Sequence, residues 1–169
     1  MKKKKKVRRN RGNGQRHKNI IEDCRMSPSR LHCAVVRNLI LIFAGYGYDT
    51  FPELTVSIGE NKTVDLDLAV DRSKYQCNAD DISTKVEVIP ELCVEVLSPK
   101  QAISDLIEKA YRLIENDAKC YWLVNPFQNT VTVYSQNNGE VSRKDYTGDA
   151  EIPDPFGEGE NIVLNDIFK

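Results

Sequence analysis

The chain has 169 residues, 40% of them hydrophobic and 29% charged, enough for one domain with a single sizeable core and too short for two. Its longest strictly apolar run, residues 39–44, falls far short of the roughly 20 residues a membrane span needs, and the basic N-terminus lacks the apolar stretch of a secretory leader. A net charge of −1 hides an asymmetry: residues 1–18 carry ten Lys/Arg and no acid, while the remainder carries 14 basic and 25 acidic residues, net −11, which excludes a body coated for nucleic acid.

Residues 1–26 read as a disordered basic arm, with almost no apolar content to bury. Lys2, Lys3, Lys4, Lys5, Lys6, Arg8, Arg9, Arg11, Arg16 and Lys18 are its charges, and they form the obvious contact for a polyanion. Residues 27–169 form the domain. Ser27-Pro28 predicts a helix start, with Ser as cap and Pro at the first helical position. Leu31, Val35, Leu39 and Ile42 follow at helical spacing, and Gly45 stands where a terminating glycine belongs, giving a helix over 28–44. Strands are expected at 51–58 and 63–70, joined by a turn at Gly59–Lys62. In the second, Val64, Leu66, Leu68 and Val70 face one way and Asp65, Asp67 and Ala69 the other.

Residues 71–85 read as a long polar loop. A strand over 91–97 places Leu92, Val94 and Val96 on one face and Cys93, Glu95 and Leu97 on the opposite one. Ser98-Pro99 repeats the cap-plus-proline signal, opening a helix to about Asn116 with Ile103, Leu106, Ile107, Ala110, Leu113 and Ile114 as its buried stripe. Strands at 120–124, 130–135 and near Val141 follow, and residues 162–168 predict a short strand entering a helical turn. This order defines a mixed α/β layer around a central sheet. Cys24, Cys33, Cys77, Cys93 and Cys120 are odd in number and never spaced C-x-x-C, so they read as reduced thiols rather than a disulfide framework or a zinc site.

Two carboxylates, Asp67 and Glu95, stand mid-strand among apolar residues. A buried carboxylate is costly unless it is paired or metal-bound. Asp67 has Asp65 on its own face, so a solvated sheet surface accounts for it equally well. Glu95 is the lone charge of its strand, which points to function. Magnesium takes one or two carboxylates plus waters and phosphate oxygens, and an Asp and a Glu on neighbouring strands are the minimum protein contribution. A cation is also needed to orient water or stabilise the transition state. The face-sharing position after Glu95 is Leu97, so the candidates are Lys109, four residues after Asp105 on the next helix, and Lys100 just past the strand. An ordinary i,i+4 pair of Asp105 with Lys109 is the competing reading.

The run Pro90-Glu91-Leu92-Cys93-Val94-Glu95-Val96-Leu97-Ser98-Pro99, with Asp105-Leu106, Lys109, Tyr121-Trp122-Leu123-Val124-Asn125-Pro126 and Thr130-Val131-Thr132-Val133-Tyr134, resembles the Uma-type restriction-endonuclease family, numerous in cyanobacteria, of the PD-(D/E)XK nuclease superfamily. The resemblance spans about residues 28–169. It implies a restriction-endonuclease-like α/β fold and a magnesium (or manganese) ion held by Asp67, Glu95 and the backbone carbonyl of Val96. It also implies Lys109 as the helical lysine that replaces the strand lysine, Asp105 as the acid one turn before it, and Glu53 as a glutamate common after helix one. His32 matches a frequent histidine and reads as structural. Leu66 replaces a proline and Asn125 an aspartate of the family pattern.

Two functions follow as expectations. The first is a metal-dependent endonuclease acting on DNA in the cytoplasm, with Lys100 and the arm touching the nucleic acid and a homodimer compatible with it. The second is a nuclease-fold module without catalysis that binds nucleic acid or a protein partner, suggested by the missing strand lysine and the acidic body.

Overall fold

In the computed structural model, helix α1 spans Arg30–Gly45. The structure describes residues 28–59, 62–76, 78–137 and 139–169, so the basic arm and the predicted Ser27 cap lie outside the described residues. The cap is Ser29, whose hydroxyl accepts the His32 amide at 3.1 Å, and Pro28 precedes the helix instead of opening it. Serines flank Pro28 on both sides and each is a competent cap, so local chemistry does not choose between them. Gly45 is the last helical residue, and the left-handed turn is taken two residues later by Gly47, at φ 85°. There the Tyr48 amide bonds to Phe43 O at 3.1 Å and the Gly47 amide to Ala44 O at 3.0 Å, a Schellman closure.

Strands β1 (Asp49–Ser57), β2 (Thr63–Asp71) and β3 (Leu92–Val96) lead into helix α2 (Ile103–Glu115). Strands β4 (Cys120–Asn125), β5 (Thr130–Asn137) and β6 (Glu140–Tyr146) complete a six-stranded sheet in the order β1-β2-β3-β4-β5-β6. All neighbours are antiparallel except β3 and β4, which are parallel because α2 carries the chain across between them. A two-stranded sheet of β7 (Glu151–Ile152) and β8 (Ile162–Val163) precedes the short helix α3 (Leu164–Ile167). The β7 strand carries too few residues to show a period in sequence. No helix among the described residues is long and apolar enough to cross a membrane.

Helices cover both faces of the sheet. On one, Val35, Leu39 and Phe43 of α1 pack against Leu68, Val70, Val94, Trp122 and Val124, with α3 closing the layer. On the other, Leu106, Ala110, Leu113 and Ile114 of α2 pack against Val56, Leu66, Ala69, Cys93, Tyr121 and Leu123. Strand β4 is buried at every position, as its continuous apolar run requires of a central strand. Truncating a core residue such as Leu39 to alanine costs about 2–5 kcal/mol at sites of this kind.

Three local expectations are corrected. Ser98-Pro99 does not open α2. Ser98 to Gln101 form a turn closed by the Gln101 amide on Ser98 O at 3.2 Å, with Pro99 second and Lys100 third at φ 69°, the type II arrangement. Helix α2 then begins at Ile103 without a side-chain cap. The loop after β2 extends to residue 91 and is tied to the outer edge of β1, where the Ser57 amide bonds to Val86 O at 2.8 Å and the Val86 amide to Thr55 O at 2.9 Å. This covers an edge strand that would otherwise offer free amides.

Strand β2 also fails to keep its alternation. Val64 and Leu66 pack with α2, whereas Leu68 and Val70 pack with α1. The register with β1 is unbroken on both sides, Leu66 opposite Leu54 and Leu68 opposite Pro52. The two strands therefore exchange faces together at Asp67 and Glu53. Glu53 adopts φ 54°, a left-handed conformation costing about 1–2 kcal/mol for a residue with a Cβ.

At the far end of β3, Glu91 takes a two-pronged contact from Arg72, at 2.9 and 2.8 Å, and an ion pair from Lys119. The Arg72 bonds hold its carboxyl down to about 2, against an ordinary 4.5, despite the opposing effect of partial burial. The native state thus binds the proton less well than the unfolded chain. The contribution is complete above pH 4.5 and disappears as pH falls through about 2. Glu91→Gln is therefore expected to lower the melting temperature at neutral pH, with the gap to wild type closing between these limits. A gap independent of pH in thermal melts would show that the ion pairs contribute nothing.

Candidate metal centre

The ladder between β2 and β3 stops at Leu68 opposite Val94. One residue further on, where Asp67 and Glu95 stand, side chains replace it. The Asp67 amide donates to Glu95 Oε1 at 3.3 Å, and the Val96 amide donates to Asp67 Oδ2 at 2.8 Å. Each carboxylate bonds to backbone of the opposite strand at this gap in the ladder, Asp67 also meeting His32 and Glu95 also meeting Lys109.

Glu95 is only 4% exposed, and burial lifts its carboxyl to about 7, a rise that Lys109 opposes and the Asp67 charge reinforces. Lys109 reaches in from α2, pairing with Glu95 Oε1 and also donating to the Asp65 carbonyl. Leu97 packs with the α2-side core, so the strand position that could have held a cation is apolar and the ammonium arrives from the helix. Both bonds to Glu95 fall on Oε1, leaving Oε2 without a donor among the described residues. A carboxylate oxygen left without a donor is a natural position for a cation.

His32 of α1 closes the opposite side. It is 4% exposed, with Nε2 at 3.4 Å from Asp67 Oδ1 and Nδ1 at 3.1 Å from Ser98 Oγ. Hydrogen bonding to Asp67 raises its pKa, against the pull of burial, with further help from the Asp67 charge and the Val96 backbone. Sequence reasoning read this histidine as structural. Its place at the site depends on β2 and β3 partners that no helical period encodes.

The other candidates separate. Glu53 lines a cavity of about 110 Å³ with His32, Asp67 and Ser98, and its charge acts on the His32 ring. Asp105 is exposed on the first turn of α2 and lines a separate groove of about 330 Å³ with Asp65, Lys109 and Arg112. It bonds to its neighbour Ser104, and no Asp105–Lys109 ion pair occurs among the described residues, so the i,i+4 reading of that spacing is corrected. Lys100 is exposed in the Pro99 turn. Asn125 Oδ1 accepts the Phe127 amide at 3.0 Å in an Asx turn that an aspartate would make equally well, and its amide adds a bond to Gln128.

Among the described residues no three His, Cys, Asp or Glu side chains form a closed metal cage. Two carboxylates bridging one gap in the ladder, one with an oxygen that has no donor among the described residues, nevertheless fit a magnesium-like ion, which keeps most of its shell for water and phosphate.

The fold is a mixed α/β sheet sandwiched between helices, with the Asp67, Glu95 and Lys109 side chains gathered where its β2–β3 ladder stops. The chain belongs to the Uma2 family, described as "Putative restriction endonuclease", whose model matches residues 13–165. Among solved structures it is similar to a "putative nuclease belonging to DUF820 from Anabaena variabilis ATCC 29413", with a TM-score of 0.71 and 22% identity over 85% of this chain and 83% of that one. That likeness shows the fold. No curated protein matches the chain.

Proposed function

We propose that this protein is a metal-dependent endonuclease hydrolysing phosphodiester bonds in DNA, with Mg²⁺ or Mn²⁺ held by Asp67, Glu95 and the Val96 carbonyl. The observation carrying this reading is the gap in the β2–β3 ladder that the Asp67 and Glu95 side chains bridge, with no donor on Glu95 Oε2 among the described residues. The ion, when bound, supplies Lewis-acid neutralisation of charge on the phosphate. Asp67 and Glu95 bind and orient it. Lys109, anchored on Asp65 O and Glu95, directs a positive charge at the same opening, where it orients the attacking water and stabilises the transition state. Glu53 and Asp105 flank this centre on its two sides, Glu53 facing His32 and Asp105 the α2 groove.

A second reading has one observation in its favour. The Lys109–Glu95 pair also neutralises a buried acid, which a binding module without catalysis would need as much as an enzyme. Incubating supercoiled plasmid with the full chain and Mg²⁺ or Mn²⁺ separates the two. The nuclease reading expects nicked or linear product that a chelator suppresses, and unchanged plasmid favours the module.

Residues 19–169 are net −11, so DNA affinity is assigned to residues 1–18 and Lys100. Binding through ten cations releases counterions and weakens with salt, at a slope of about −0.9 per phosphate neutralised. Deleting residues 1–18 is expected to weaken binding uniformly across sequences and flatten that slope, as backbone contacts carry no base information. An unchanged slope in filter binding would move the contact surface to the folded body.

A further inference from the structure

We infer that His32 is a positioning residue of the metal centre: its ring fixes the Asp67 carboxylate, and Ser98 fixes the ring. The inference rests on the reading of Asp67 and Glu95 as holders of one divalent ion. An aspartate's terminal torsion is soft and roughly two-fold, so a carboxylate held by one oxygen can swivel. Asp67 has a partner on both, a hydrogen bond from the Val96 amide to Oδ2 at 2.8 Å and an ion-pair contact of Oδ1 with His32 Nε2 at 3.4 Å. The ring is tied in turn, because Ser98 Oγ lies 3.1 Å from its other nitrogen. Ser98 follows Val96 by two residues, so Val96, Asp67, His32 and Ser98 close a loop of contacts that joins β3, β2 and α1.

The helix carrying the ring is itself anchored at two places. At its start Ser29 holds the His32 amide. Further along, the Asn38 amide donates to Ile167 O at 3.1 Å and Lys169 O at 2.8 Å, tying α1 to the end of the chain. Any buried histidine needs partners on its ring nitrogens, and here one partner is a candidate metal-holding carboxylate and the other follows β3 by two residues. Partners that orient ligating groups typically contribute 10–100-fold to metal affinity.

The test is Mn²⁺ affinity of the full chain, read from the paramagnetic resonance of free Mn²⁺, alongside a melting temperature for each protein. His32→Leu keeps the volume and removes both nitrogens, and its affinity is expected to fall on the order of 10–100-fold. His32→Gln retains an N–H donor toward Asp67 and should recover part of the loss, a rescue that a purely packing role would not produce. Ser98→Ala removes only a hydroxyl and should lose affinity by a smaller factor. It decides the matter if the leucine variant does not fold: lowered affinity supports the inference and wild-type affinity overturns it. A folded His32→Leu protein that binds Mn²⁺ as wild type does makes His32 a packing residue while leaving the metal reading intact. Absence of Mn²⁺ binding by the wild type removes the metal reading and this inference with it.

Discussion

Glu95→Gln is expected to reduce divalent-ion-dependent DNA cleavage to background, roughly 10³-fold or more, while the protein stays folded. The amide matches the carboxylate in shape and keeps an oxygen to accept from the Asp67 amide and from Lys109, so the bonds that organise the opening survive. What disappears is the negative charge and the donor-free Oε2 that would face the ion. Lewis-acid stabilisation of a transferring phosphate is worth several kcal/mol, and each 1.36 kcal/mol is tenfold in rate. Asp67→Asn is expected to behave alike, since its oxygen can still accept from Val96. Plasmid cleavage rates with a melting curve for each variant check this. Wild-type cleavage by either folded variant would make that acid structural.

Lys109→Met should lower cleavage by on the order of 10²-fold, the usual cost of losing one preorganised transition-state contact. The structure changes what accompanies that loss. Lys109 pairs with Glu95 and not with Asp105, so its removal strips a buried carboxylate of its counter-ion rather than deleting a surface pair worth a few tenths of a kcal/mol. Glu95, already raised to about 7 by burial, responds by taking up a proton, and the fold survives at and below neutral pH. Methionine covers the same apolar surface as the lysine stem. Single-turnover cleavage at saturating Mn²⁺ reads the effect. Near-wild-type rates would transfer the cationic role to Lys100 and leave Lys109 as the partner that makes Glu95 tolerable.

The elements were legible wherever a period was long enough. The stripe from Leu106 to Ile114 placed α2, and the run from Cys120 to Val124 placed a central strand. Glu95 stood out because a lone acid among Leu92, Cys93, Val94, Val96 and Leu97 has no cheap structural explanation. Lys109 was legible as a candidate through its spacing, but its reach to Glu95 depends on how the β3–α2–β4 crossover lays the helix over the sheet. The clean alternation of Val64, Leu66, Leu68 and Val70 misled, because the left-handed Glu53 opposite Asp67 turns both strands over, and a glutamate does not announce positive φ as glycine does. His32 was unreadable as a site residue for a different reason. Its hydroxyl partner is 66 residues away, and its carboxylate partner lies on another strand.

The central claim is that Asp67 and Glu95 jointly hold one divalent ion, and calorimetric titration of Mn²⁺ into the full chain tests it most directly. The account predicts saturable binding to wild type at one ion per chain, and its loss in both Asp67→Asn and Glu95→Gln at unchanged secondary structure. Unchanged Mn²⁺ affinity in both folded variants would contradict it.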